Sequence, residues 1–122
     1  LRWCDSGWIT WVASVGYRYN GVNAYGQRYG RTTWAEATAT RNVSSPIQIK
    51  TGLRFRDAAR DATPEGSDVN SGGSLLTALV ESRVTLGSRV SLYLNGDIPV
   101  AANLGGTQVE RPVLGAGLTV TL

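Results

Sequence analysis

The last ten residues, Val113-Leu114-Gly115-Ala116-Gly117-Leu118-Thr119-Val120-Thr121-Leu122, alternate between two kinds of side chain. Leu114, Ala116, Leu118, Val120 and Leu122 fall on one side of an extended chain. Val113, Gly115, Gly117, Thr119 and Thr121 fall on the other. Successive strand side chains point to opposite faces, so this period of two predicts a β-strand with one apolar face.

The same pattern repeats upstream. From Arg89 to Val100, Val90, Leu92, Leu94, Gly96, Ile98 and Val100 oppose Arg89, Ser91, Tyr93, Asn95 and Asp97. From Ser74 to Thr85, Leu76, Ala78, Val80 and Val84 oppose Thr77, Glu81 and Arg83, with Leu79 out of place on the polar side. From Pro46 to Arg56, Ile47, Ile49, Leu53 and Phe55 oppose Gln48, Lys50, Arg54 and Arg56. Thr33 to Thr40 sets Ala35, Ala37 and Ala39 against Trp34, Glu36, Thr38 and Thr40. Trp8 to Asn20 sets Ile9, Trp11, Ala13, Val15, Tyr17 and Tyr19 against Thr10, Val12, Ser14, Gly16 and Arg18. The prediction is therefore an all-β chain, an antiparallel up-and-down meander of about six strands with no helix. Asp57–Ala62 has the composition for one helical turn but lies in a Gly/Ser/Asp/Pro-rich stretch and reads as loop.

Loop length carries a second signal. Gly21–Gly30, Asp57–Gly73 and Ala101–Pro112 are long; Arg41–Ser45 and Leu86–Ser88 are short. Successive antiparallel strands place alternate connections at opposite ends, so all long loops gather at one end. Segregation of this kind is a property of outer-membrane barrels, with short periplasmic turns and long extracellular loops. The strands, about 10–13 residues long, reach the length a tilted membrane strand needs and exceed the usual 5–6 of soluble strands.

Composition removes several chemistries. The chain has 122 residues, the size of one domain at most, with 12 Lys+Arg against 9 Asp+Glu and a net charge of +3. Lys50 is the sole lysine, and the arginines are spread along the chain, which gives nucleic acid no support as a partner. Histidine is absent and Cys4 is the single cysteine, so this chain holds no Cys/His metal site, no His-based catalytic triad and no internal disulfide. No apolar run approaches the length of a membrane helix, an argument that does not touch β-strands.

The segment Gly117-Leu118-Thr119-Val120-Thr121-Leu122 resembles the C-terminal assembly signal of Gram-negative outer-membrane β-barrels. That signal ends in a hydrophobic residue, usually Phe. It has a second hydrophobic residue, often Tyr, two positions back and a glycine five back. Leu122, Val120 and Gly117 stand in those places, with aliphatic residues in both hydrophobic ones. The stretch from Ser91 through Leu122 is similar to the last hairpin of outer-membrane transporter-like barrels. The resemblance implies a segment of a transmembrane β-barrel in the cell outer membrane. It also implies the lipid bilayer and the barrel-assembly machinery as partners, with other copies or envelope proteins as further ones. The implied work is passive solute transport, pore formation or structural anchoring, without a cofactor or covalent chemistry.

In that frame residues 1–122 form a single, incomplete barrel segment, because the smallest bacterial barrels have about eight strands. Leu1 reads as an internal or processed start, with the remaining strands lying upstream or supplied by other copies. The residues expected to line the lumen are Arg18, Glu36, Lys50, Arg54, Arg56, Glu81, Arg83, Arg89 and Asp97. They would form either an anion-preferring lining or, favoured here, a salt-bridged interior. Tyr17, Tyr19, Tyr25, Tyr29 and Trp34 gather about the first long loop and read as an interfacial aromatic belt, with a sugar-stacking surface as the other reading. Trp8, Trp11 and Tyr93 are further girdle candidates. Asp57, Asp61 and Glu65 have the oxygen ligands for Ca²⁺ but lack the order of an EF-hand loop. Gly72-Gly73, Gly105-Gly106 and Gly115-Ala116-Gly117 lack the Gly-Lys-Ser/Thr of a phosphate loop and read as turns and crowded strand positions. The alternative for the whole chain is a soluble β-sandwich that binds carbohydrate or self-assembles.

Overall fold

β-branched, leucine and threonine residues at alternate positions favour extended chain, and here they give almost nothing else. The computed structural model describes the backbone of residues 2–5 and 9–121, and the side chains from residue 9 onward. The strands are β1 (Arg2–Asp5), β2 (Ile9–Arg18), β3 (Thr32–Ser44), β4 (Ile47–Ala58), β5 (Ala62–Thr63), β6 (Gly66–Ser67), β7 (Gly73–Leu86), β8 (Val90–Leu104) and β9 (Val113–Val120). One sheet runs in the order β1-β2-β3-β4-β7-β8-β9, every neighbour pair antiparallel. Its six long strands form the expected meander. Among the described residues there is no helix, no second layer beyond the β5–β6 hairpin, and no closure of the sheet on itself.

Several boundaries differ from the sequence expectation. β3 continues through Asn42 to Ser44, because Arg41 and Asn42 pair with Ile49 and Gln48 across the turn, with a bulge between Asn42 and Ser44. The Gln48 amide donates to Asn42 Oδ1 at 3.0 Å, which ties the two strands beside that irregularity. The Arg41–Ser45 connection thus shrinks to Ser45-Pro46. β8 runs past Val100 to Leu104 by a bulge that pairs Thr77 with Pro99 and Leu76 with Ala101. Proline donates no backbone N–H, and an irregular ladder position is where a strand tolerates it. The Asp57–Gly73 connection is not loop throughout: β4 keeps Asp57 and Ala58, and the β5–β6 hairpin sits inside it. β1 was not legible as a strand. It pairs Arg2–Asp5 with Val12–Ile9 of β2. Trp8, at the expected start of the first strand, and Leu122, at the end of the last, lie outside the described residues.

The register fixes which side chains share a face. Across the sheet, Val15 pairs with Ala35, Ala35 with Phe55, Phe55 with Leu76, and Leu53 with Ala78, which pairs with Ile98. Gly96 then pairs with Leu114, and Leu94 with Ala116. This apolar face is open: Val15 is 79% exposed, Leu94 63% and Leu114 81%. It carries no charge between the row of Arg41 and the row of Asp57. Those rows lie eight residues apart on β4, from Ile49 to Asp57, about 26 Å at 3.3 Å per residue.

The polar face is the better covered one. Thr38, Thr77 and Leu79 are buried, and all three belong to it. The misfit Leu79 pairs with Gly52, and the space a side chain at Gly52 would need is taken by Thr38 and the Ala37 carbonyl of β3. The whole chain exposes 9019 Å². A folded monomer of 13.0 kDa is expected to expose about 6,300 Å². The excess is what a single sheet with an unburied apolar side produces.

Two aromatic residues lie flat on the polar face over glycines of the neighbouring strand. Trp34 covers Gly16, and Tyr93 covers Gly117. A Cβ at either glycine would enter the ring above it. Glycine weakens a strand, and an aromatic side chain laid across it restores contact area. The expectation for the Gly-Ala-Gly run is thus met by crowding at Gly117 and, under the Asn95 side chain, at Gly115. Gly117→Val should displace the Tyr93 ring and cost about 1–3 kcal/mol, the usual range for overpacking. Ala116→Val, on the open face of the same strand, should cost little. Denaturant midpoints of the two refolded variants check this, and equal losses would refute the ring-over-glycine account.

Candidate functional site

The polar face contains the chemistry-bearing side chains, because alternation delivers them from four strands to one side. Glu36 comes from β3, Lys50, Arg54 and Arg56 from β4, Glu81 and Arg83 from β7, and Asp97 from β8. Six of them, all but Arg56, line one hollow of about 430 Å³ together with Tyr93, Asn95 and the Leu79 floor.

Arg54 stands at its centre. Its Nε donates to Glu36 Oε2 at 2.8 Å, on the strand directly beside it. Its Nη1 donates to Asp97 Oδ2 at 3.3 Å, on a strand two places away. Two strand spacings are about 9.6 Å. The guanidinium bridges that span by passing over Thr77, its short cross-strand partner, and Thr77 is buried as a result. Lys50 Nζ lies 3.5 Å from Glu81 Oε2, its direct cross-strand partner. Arg56 Nη2 reaches Glu110 Oε1 at 3.1 Å. Glu110 belongs to the connection between β8 and β9, so that connection folds over the polar face instead of standing away from it.

The expected residues therefore divide. Glu36, Lys50, Arg54, Glu81, Arg83 and Asp97 share the hollow. Arg56 lies above it toward the long connections, and Arg18 joins Arg56 in lining a second cavity beneath them. Arg89 sits in the turn between β7 and β8, outside both cavities; its carbonyl accepts the Thr121 N–H at 2.8 Å. Gly117 and Val120 lie on β9, on opposite faces, and Leu122 is outside the described residues. Tyr93, Asn95 and Leu79 were visible in the sequence as strand residues but carry no charge to mark them. Glu110 lies in a loop, where no periodicity reports on direction.

The aromatic expectation needs correction at two positions. Trp34 and Tyr93 are turned to the polar face and cannot belong to a girdle on the other side. Trp11 and Tyr17 are on the apolar face, 50% and 57% exposed, near its two ends. The carboxylates considered for Ca²⁺ do not converge. Asp57 Oδ1 accepts the Ser74 hydroxyl at 2.6 Å, while Asp61 Oδ1 accepts the Gly30 N–H at 2.7 Å. Among the described residues no group of three or more acidic or Cys/His side chains converges as a metal site would require. The Cys4 side chain lies outside them.

Chemically, this face offers paired charges, hydroxyls and amides around a wet hollow. The hollow's lining carries three acids against three bases and so a nearly balanced field. Compared with known proteins, the chain matches no protein-family model, no curated protein and no solved structure.

Arg54→Met strands two carboxylates and should lower stability by about 1 kcal/mol at low salt, and by less at high salt. Lys50→Met removes one solvent-screened pair and should cost at most a few tenths of a kcal/mol. Urea midpoints at two ionic strengths test the ranking. Equal costs would show that Arg54 is not the hub of the face.

Proposed function

We propose that this chain is an arc of an outer-membrane β-barrel wall, its apolar face against lipid and its polar face lining the interior. The observation that carries the reading is the inverted polarity. The polar side of the sheet is covered and ion-paired, while the apolar side stands open over every long strand. In water an open apolar face of this size marks a surface awaiting a partner. Hydrocarbon is such a partner, and it demands what this sheet has: a charge-free band, backbone groups satisfied between strands, and length to spare. β7 and β8 have 14 and 15 residues, against the roughly 9–11 that a tilted strand needs to cross. Among the described residues no helix is long and apolar enough to cross a membrane, a finding that says nothing of strands.

The connections support the same orientation. Residues 19–31, 59–72 and 105–112 join strands at one end; residues 45–46 and 87–89 join them at the other. The long end would face outward and the short end the periplasm. Closure requires further strands on both edges of the sheet, from other copies or from more of the same protein, because an open edge in lipid leaves backbone groups unpaired. The work proposed is passive passage of small polar solutes, or structural anchoring. The four ion pairs among the described residues favour a neutralised interior of low charge selectivity over an anion-selective one. Within this reading Gly117, Val120 and Leu122 serve the assembly machinery.

Leu94, in the middle of the open face, separates lipid contact from a soluble alternative. Leu94→Arg should reduce insertion into phosphatidylcholine vesicles by about 2–4 kcal/mol if that side meets hydrocarbon, whereas Asn95→Arg, on the other face, should be tolerated. In a variant with Trp11 as its only tryptophan, brominated lipid tails should quench the fluorescence. A chain that stays monomeric and folded in buffer without detergent, with unquenched Trp11, would overturn the proposal.

A further inference from the structure

The first two long connections are stitched together where they meet. Arg28 and Ala62 exchange backbone hydrogen bonds of 2.9 and 2.8 Å. The Ala59 N–H donates to the Arg31 carbonyl at 2.9 Å, and Asn20 Nδ2 donates to the Gly30 carbonyl at 3.0 Å. Gly30 lies so close to the Ala59 carbonyl that a Cβ would overlap it. This framework encloses a cleft of about 200 Å³ lined by Arg28, Arg31, Arg60, Tyr19 and Tyr29.

Three arginines thus line one small cleft, and no acidic residue lines it. The nearest acid in sequence, Asp61, is held away by the Gly30 N–H and faces the cavity beneath the loops. Among the described residues none of the three arginine side chains forms an ion pair or a hydrogen bond. The arrangement contrasts with the polar face, where Lys50, Arg54 and Arg56 each have an acidic partner. Gathering like charges around one cleft is unfavourable until an anion joins them. We propose that this cleft binds a phosphate monoester group. Such a group carries a charge of about −1.5 to −2 at neutral pH and three strong acceptor oxygens. Arginine forks match those oxygens bidentately, and the tyrosine hydroxyls add neutral donors. The site is separate from the salt-bridged hollow and does not depend on whether the apolar face meets lipid.

The test uses the full chain in zwitterionic micelles at constant ionic strength. Methyl phosphate is titrated by calorimetry into the parent, R28Q/R60Q, and the charge-matched control R41Q/R89Q, whose arginines lie near the short turns. The site variant should lose at least about tenfold in affinity and the control less than about twofold, since contacts to charged groups are each worth more than 1 kcal/mol. The single variant R60Q, with an unchanged β-sheet circular dichroism spectrum, should lose an intermediate amount and guards against misfolding. Micelles doped with phosphatidate distinguish the sources: tighter binding there than to methyl phosphate assigns a lipid headgroup, and equal binding assigns a free solute. Absence of binding to both probes overturns the proposal. So do equal losses in site and control variants, or methyl sulfate binding as tightly as methyl phosphate.

Discussion

A lone sheet has two faces and no interior, so every strand must keep its apolar residues on one side for the molecule to have a defined covered side at all. Here that consistency is imposed by the ladder. Slipping one strand by a single residue would carry its arginines into the apolar band and its leucines into the salt-bridged hollow. The pairs from Val15 through Ala35, Phe55 and Leu76, and from Leu53 through Ala78 and Ile98, show five strands agreeing on one register. The side that is covered is the polar one. Its cover is made by long side chains lying across neighbouring strands, Arg54 over Thr77, Trp34 over Gly16 and Tyr93 over Gly117.

This arrangement shifts the source of cohesion. A soluble domain of this size gains most of its stability by removing apolar surface from water. The described chain buries one apolar side chain, Leu79, so that source is nearly absent until something covers the open face. What remains are backbone ladders, cross-strand aromatic contacts and a few ion pairs that are individually weak when half exposed. The environment that covers the open side is therefore an energetic component of the fold, and lipid is the one proposed for it.

Most of the architecture was legible because period two is a strong signal over strands this long. Ile47 to Arg56 and Val113 to Val120 alternate cleanly, Ser74 to Thr85 does so apart from Leu79, and all three form strands with the expected faces. The boundaries were less so. Arg41 to Ser44 and Ala101 to Leu104 join their strands through bulges, which break the alternation that a periodic reading relies on. β1 and the β5–β6 hairpin are too short to show a period. At the site, the charged residues of the strands were found, since charge on an alternating face is conspicuous. Glu110 was not, because a loop residue's direction is set by the chain returning over the sheet. Trp34 and Tyr93 misled, because an aromatic side chain suits an interface and a glycine-covering position equally.

The sheet also ends in a step. β9 pairs with Val90–Asp97 of β8 and stops, so Ile98–Leu104 have no ladder partner on that side among the described residues. A neighbouring strand arriving at this border finds a staircase instead of a straight rail. It can align fully only when displaced along the axis, and such stagger is what inclines strands in a closed cylinder. The same step penalises flush stacking of one molecule's rim on another's, which guards against fibrous polymerisation. One geometric detail thus sets the pitch of any continuation and discourages the wrong kind of neighbour.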